Sequence, residues 1–323
     1  MTSNQYLYAV IPCFNEEDHI ISYLEKIKSL IGNIVVIDDK STDTTNIILK
    51  KYIDENKKYK IILLEHKVNA GVGAAIATGY KYIRDVLNPS ENSAVVVLAG
   101  DGQMPVDQLD LVTKPIFKKL CDVSKVNRLG KKSGNIPIKR LIGNKVLSLL
   151  TQIASGYYGL WDSQTGYVAI NVKVLKEINW DQMYKRYGQP NDFIMKCSEK
   201  NYLIYETDVK PYYRNDIVSK MKVYKVVLPI LSILIKGFFK RAFRQYFIEN
   251  LHPIILSLIF SIFFFALDVI MFSRMMFQYF MHNYIGTNSL IIFFSLLLLS
   301  ILLMINFFKY DYNNKKLKII KKN

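Results

Sequence analysis

The 323 residues are enough for one large domain, or one domain with an appendage, and for a well-buried core. Lys and Arg number 43 against 27 Asp and Glu, a formal charge of +16, and the excess is unevenly placed. Residues 221–323 hold 13 basic and 3 acidic residues among the longest apolar runs, so the anionic partner expected there is a lipid surface and not nucleic acid.

The N-terminal "MTSNQYLYAVIP" lacks the basic region, long apolar core and small-residue cleavage site of a signal peptide, which predicts a cytoplasmic first domain. Short β-branched runs predict strands at residues 6–11, 34–37, 61–64 and 95–98. Between them, "EEDHIISYLEKIKSL", "STDTTNIILKKYID" and "GVGAAIATGYKYIRDVL" carry apolar residues at helical spacing. Strands alternating with helices across short polar joints predict a doubly wound, mostly parallel α/β sheet. Ligands of such sheets sit beyond the carboxyl ends of the strands. That rule selects "PCFNEE", "DDKSTD", "HKVNAGVG" and "AGDGQMP".

Past residue 215 the pattern changes. "VVLPILSILI" (226–235) is too short to cross a bilayer, contains Pro229 and is flanked by lysines and arginines, which reads as an interfacial helix; a core helix of the first domain is the alternative. "LHPIILSLIFSIFFFALDVIMF" (251–272) and "SLIIFFSLLLLSILLMINFF" (289–308) are each long enough to span. Basic residues precede the first span and follow the second, while the loop between them holds only Arg274, so both ends are expected in the cytoplasm. Asp268, near the end of the first span, is expected to snorkel or to pair with Arg274. The basic tail "KKLKIIKK" reads as a topology signal.

Three dispersed cysteines and four dispersed histidines indicate neither a disulfide framework nor a zinc site. The glycines of "NAGVGAAIATG" do not form a dinucleotide fingerprint, because the third glycine position is Ile76 and the stretch follows the third strand. Small residues there let a helix pack closely on sheet and ligand. Asp38, Asp39, Ser41 and Asp43 could cap the following helix. Two adjacent acids at a crevice also need hydrogen-bond donors, and a ribose or base N–H would serve. In "AGDGQMP", Asp101 and Gln103 offer oxygen ligands to a hard cation, Mg²⁺ or Mn²⁺, that could hold a diphosphate.

In order and approximate spacing, "VIPCFNEE", "VVIDDKSTDTT", "NAGVGAAIATGY", "AGDGQMP" and "DSQTGYVAI" resemble family 2 glycosyltransferases of GT-A fold, above all polyprenyl-phosphate sugar transferases of the dolichyl-phosphate mannose synthase type. The resemblance covers about residues 6–221. It implies that Pro12, Asn15, Glu16 and Asp39, with Asn69 and Gly71, surround the nucleoside. Asp101 and Gln103 would hold the metal and the donor diphosphate, although Ala99 replaces the first acid of the family's Asp-X-Asp. Arg128 would approach the phosphates. Asp162, with Gln164, Thr165 and Gly166, would shape the sugar pocket, Asp162 binding a hydroxyl, acting as a base or capping a helix. Arg214, Ser219 and Lys220 would take the lipid phosphate.

The expected organisation is a GT-A glycosyltransferase domain (1–221), an amphipathic juxtamembrane segment (222–250), two transmembrane helices within 251–308 and a basic cytoplasmic tail (309–323). The resemblance implies inverting transfer of one sugar from a UDP- or GDP-hexose to polyprenyl phosphate at the cytoplasmic membrane face; a homo-oligomer is compatible with it. A lipid phosphate is ionised near neutrality, so a strong base is dispensable. Two other readings stay open: a transferase extending a lipid-linked or surface glycan, which would need a base such as Asp162, and an inactive membrane-tethered nucleotide-sugar binder.

Overall fold

The computed structural model describes residues 6–130, 138–209, 223–314 and 319–321. The chain forms two compact units, Met1–Gly237 with Leu317–Asn323, and Phe238–Lys316.

In the first unit, β1 (Leu7–Cys13), α1 (Ile20–Ile27), β2 (Asn33–Asp38), α2 (Thr45–Glu55), β3 (Ile61–Glu65), α3 (Val72–Tyr82) and β4 (Ala94–Val97) alternate as the apolar periodicity predicts. There follow α4 (Leu109–Phe117), β5 (Val123–Asn127), α5 (Ile138–Ser155), β6 (Val168–Asn171), α6 (Val172–Glu177), α7 (Gln189–Glu199), β7 (Ile204–Asp208) and, after residue 316, β8 (Ile319–Lys321). The sheet order is β3-β2-β1-β4-β6-β5-β7-β8. Among the described strands β6 alone runs antiparallel, against β4 and β5, so the sheet is mostly parallel.

The chain winds outward from β1 to β3 and then returns to place β4 on the other side of β1. This reversal opens a crevice between the carboxyl ends of β1 and β4, where an α/β sheet takes its ligand. Alternation along β1 sends Ala9 and Ile11 into one core layer, with Leu24, Ile34 and Val96, and Val10 into the other, with Val35, Ile76, Tyr80 and Trp180. Both faces are covered, which explains the near-continuous apolar runs of these strands. Gly79 lets α3 lie close on the sheet: a Cβ there would stand 2.5 Å from Val10 Cγ1 and 2.8 Å from Ile37 Cδ1.

The helix α8 (Val223–Phe243) carries Pro229 inside it without ending there. Its first part, within the first unit, buries Ile230 and Leu234 and exposes Leu228 and Ile235, so apolar side chains stand on both the inner and the outer side. The second unit holds α9 (Ile254–His282) and α10 (Thr287–Asn313), each long and apolar enough to cross a membrane. Here Arg241 and Asp311 are both buried and make a paired contact, Nη1 to Oδ1 and Nη2 to Oδ2 at 2.8 Å each, while Tyr246 Oη donates to Asp311 at 2.5 Å. Ser261 Oγ donates to Ser300 O at 2.8 Å, tying α9 to α10. Asp268 differs from expectation: its side chain is buried, neither oxygen has a hydrogen-bond partner among the described residues, and Arg274 is exposed. Helix packing sets its direction, which the span's composition does not encode.

Candidate functional site

The four loops selected from sequence meet along the carboxyl ends of β3, β2, β1 and β4. After β1 the chain turns through Asn15, whose φ of 56° is left-handed, a conformation asparagine tolerates. Asn15 N donates to Ser41 Oγ (3.0 Å) and Asn15 Oδ1 accepts from Thr42 N (2.8 Å). Glu16 N donates to Thr45 Oγ1 at 2.8 Å. Ser41 N in turn donates to Asp38 Oδ1 at 3.0 Å, so Asp38 closes the turn leading into α2. The capping expectation for this loop takes a particular form: Asp43 Oδ1 accepts from Thr45 N at 3.0 Å, at the start of α2.

Asp39 is buried, and the chain supplies its donors. Ala70 N and Gly71 N donate to its two carboxylate oxygens at 2.8 and 2.7 Å, and His66 Nδ1 lies 2.7 Å from Oδ1. His66 Nε2 is 2.9 Å from Thr78 Oγ1, which fixes the ring between the β3 exit and α3. Asn69 Nδ2 donates to the Asp39 carbonyl at 3.2 Å. Asp39 thus organises the glycine loop. That loop also meets the segment before α7: a Cβ on Gly73 would lie 2.1 Å from Tyr184 O, and one on Gly71, where φ is +97°, 2.5 Å from Lys185 O.

The β4 exit folds back on the β1 exit through Gly100 N to Pro12 O at 3.3 Å. Asp101 is half-buried, and its Oδ1 accepts from Gln103 N at 2.9 Å across Gly102, where φ is +70°. Burial pushes the Cys13 thiol well up, and Glu16, Asp38, Asp43 and Asp101 add to the shift, so four carboxylates converge on the end of β1. Among the described residues, no three His, Cys, Asp or Glu are placed to cage a metal ion. One carboxylate beside a side-chain amide suits a hard ion whose other ligands are water and phosphate oxygens, the way Mg²⁺ is commonly held.

On the other side of β4, the "DSQTG" segment approaches the same loop. A Cβ on Gly166 would lie 3.6 Å from the Met104 methyl, and Tyr167 Oη donates to Pro105 O at 3.2 Å. Thr165 is buried, and Gln164 Nε2 donates to Asn191 Oδ1 at 2.9 Å. Asp162 is fully buried and grips Arg128: Nε donates to Oδ2 (2.7 Å), Nη2 to Oδ1 (3.1 Å) and the Arg128 backbone N–H to Oδ2 (3.1 Å). Burial opposes its ionisation, but the Arg128 guanidinium and Lys125 outweigh this and hold the carboxyl below its ordinary range. The Arg128 side chain is 24% exposed.

Beneath this pair lie residues that the sequence reading missed. Lys125 on β5 sits beside Glu206 on β7, and Asn127 beside Asp208, two rungs apart on one ladder. Lys125 Nζ donates to the Asp162 carbonyl at 2.5 Å, and Glu206 accepts from the backbone N–H of Trp161 (2.9 Å) and Asp162 (3.0 Å). The peptide carrying Asp162 is therefore held from both sides. Burial lowers the Lys125 pKa and raises that of Glu206. The available signal was a charged or amide residue at alternate positions of two short strands, "VSKVN" and "IYETD". Arg214, Ser219 and Lys220 lie outside the described residues.

Residues 8–179, more than half of the chain, match the model of glycosyl transferase family 2. The chain is 28% identical over 224 residues to the UDP-N-acetylglucosamine--dolichyl-phosphate N-acetylglucosaminyltransferase of Methanococcus voltae, covering 65% of this chain and 87% of that one. It is 28% identical over 251 residues to the dolichyl-phosphate beta-glucosyltransferase ALG5A of Trichomonas vaginalis, covering 73% and 74%. Among solved structures, mannosyl-3-phosphoglycerate synthase from Rubrobacter xylanophilus superposes with a TM-score of 0.53 at 14% identity, over 76% of this chain and 75% of that one, a likeness of fold.

Proposed function

Since the chain belongs to glycosyl transferase family 2 and is a glycosyltransferase, we propose that it moves one sugar from a UDP- or GDP-hexose to polyprenyl phosphate, inverting the anomeric carbon, at the cytoplasmic face of a membrane. The observation that carries the choice of acceptor is the state of Asp162. A hydroxyl acceptor would need a base, and the carboxylate best placed by sequence is fully buried, bound to Arg128 and held in its weakly basic form. A phosphate acceptor needs no such base, because its oxygens are already ionised.

In this reading the β1 and β2 exits (Pro12, Asn15, Glu16, Asp39), with Asn69 and Gly71, cradle the nucleoside. Asp101 and Gln103 would hold a divalent cation, which would neutralise charge on the donor diphosphate. Arg128, aimed by Asp162, stabilises the negative charge growing on the departing nucleoside diphosphate. Gln164, Thr165 and Gly166 border the sugar, and Arg214, Ser219 and Lys220 take the acceptor phosphate. Attack by the acceptor oxygen in line with the leaving diphosphate inverts the sugar in one displacement; orientation supplies most of the rate.

The sidedness draws support from β8. This strand follows α10 in sequence yet pairs with β7, Ile204 with Ile319 and Tyr205 with Ile320, so the chain returns to the sheet it left. Two crossings are compatible with that pairing, and the basic flanks support a reading with both ends in the cytoplasm.

The test is to incubate purified protein with undecaprenyl or dolichyl phosphate and a panel of UDP- and GDP-sugars, with Mg²⁺, Mn²⁺ or EDTA, and to examine the lipid by mass spectrometry. A hexosyl-phosphoryl-prenol is the expected product. No prenyl-linked product from any donor overturns the reading.

A further inference from the structure

Between α3, α7 and the strands β4, β5 and β6 lies a small cavity, walled in part by Ile76, Val123 and Ile194. Three polar side chains also line it: Tyr80 from α3, Lys125 from β5 and Gln189 from the start of α7. They are only 2%, 2% and 7% exposed. The Tyr80 hydroxyl and the Gln189 amide have no hydrogen-bond partner among the described residues, and Lys125 uses one of its donors, on the Asp162 carbonyl. Buried polar groups are nearly always paired, because an unpaired one has given up its hydration for nothing. Three of them around one cavity point to a ligand that supplies the missing partners.

The lining restricts what that ligand can be. The cavity is too small for a sugar ring, so it takes a substituent. The nearby charges already balance, Asp162 against Arg128 and Lys125 beside Glu206, so a charged group would be buried unpaired. Lys125 offers donors, the Gln189 amide a donor and an acceptor, and the Tyr80 hydroxyl either. A hydroxyl would satisfy these and leave the apolar wall uncovered; a bare methyl would do the reverse. An acylamino group meets both demands, since its carbonyl accepts, its N–H donates and its methyl packs on the wall. Thr165 and Gly166 complete the lining, and these are residues that the proposed function sets beside the donor sugar.

We propose that this cavity is a subsite for an acylamino substituent on the donor, so that the hexose transferred is an N-acylated amino sugar. The inference deepens the proposed function and rests on it. Because Lys125 also holds the Asp162 peptide, the subsite and the grip on Arg128 share one ammonium group.

The test measures, by titration calorimetry on the full chain in detergent, the binding of paired donors: UDP-glucose against UDP-N-acetylglucosamine, and UDP-galactose against UDP-N-acetylgalactosamine. In at least one pair the acylamino donor should bind about tenfold tighter or more, the scale of one substituent read by a matched pocket. Gln189→Leu keeps the bulk of the side chain and removes the amide, and Tyr80→Phe removes only the hydroxyl. Each should bring that ratio to within about threefold while UDP alone binds within about twofold of wild type. Wild-type ratios within about twofold for both pairs, or no binding of either acylamino donor, overturn the inference. So does a preference that persists in both variants, because the substituent is then read elsewhere. Should Gln189→Leu lose UDP binding altogether, Tyr80→Phe decides alone. A prenyl-linked sugar made without acylamino preference refutes this inference and leaves the proposed function standing; acylamino preference in a protein that makes no prenyl-linked product does the reverse.

Discussion

Replacing Asp162 by Asn separates the charge of this residue from its shape. The carboxylate accepts from Arg128 N, Nε and Nη2 and from Gln164 N, and an amide of the same size offers one acceptor oxygen and turns a donor toward the guanidinium. Below it, Lys125 would then have only Glu206 as a buried counter-charge. Breaking a buried pair by removing one partner costs about 3–5 kcal/mol. Arg128 is 24% exposed and regains some hydration, so the lower end, about 3 kcal/mol, applies. For a domain of this size that corresponds to a fall of roughly 6–12 °C in the unfolding midpoint. Turnover should fall about 10²–10³-fold, because Arg128 loses its aim at the leaving group. The assay pairs thermal unfolding in detergent with initial rates of lipid-linked product at saturating donor. A midpoint within about 2 °C of wild type together with wild-type turnover would refute the argument that Asp162 acts by holding Arg128.

Asp101→Asn should reduce turnover at least about a hundredfold, the scale of losing one electrostatic group, with nucleotide binding measured in parallel to show the site intact. Near-normal rates would remove Asp101 from the cation site. Gly73→Ala places a methyl 2.1 Å from Tyr184 O, and this overpacking should cost about 1–3 kcal/mol, seen as a lower unfolding midpoint. An unchanged midpoint would show that the 184–186 segment yields freely. The acid limb of stability tests the buried charges. Asp162, held below the ordinary aspartate range, contributes stability above about pH 4 that is lost as pH falls through its folded-state pKa. Glu206, raised by burial, contributes below about pH 4.3 and loses its contribution as pH rises. Wild type should therefore lose stability more steeply below pH 4 than Asp162→Asn. Equal acid limbs for the two proteins would contradict the lowered pKa.

Local pattern was enough to place much of the fold. The runs "YAVI", "IVVI" and "AVVV" are apolar because both faces of β1, β2 and β4 are covered, and the edge strand "IILLE" is half-buried, so β1 to β4 and their exit loops stand in the sequence itself. The two long apolar helices follow from the same local logic, because a run of about 20 apolar residues needs no distant partner to be recognised. Their ends do not: α9 continues to His282, beyond the apolar run that ends at residue 272.

What only the tertiary structure decided is how the polar groups are spent. Asp39 and Asp162 read alike in sequence, each an acid at a strand exit or loop with an unknown donor. Asp39 turned out to hold Ala70 and Gly71, 31 and 32 residues away, and Asp162 to hold Arg128, 34 residues away. Lys125 and Glu206 became visible only once β5 and β7 paired. The physical reason is range. Apolar periodicity records whether a position faces a core, a property each residue expresses alone; a hydrogen bond or ion pair belongs to two residues whose meeting depends on the whole fold.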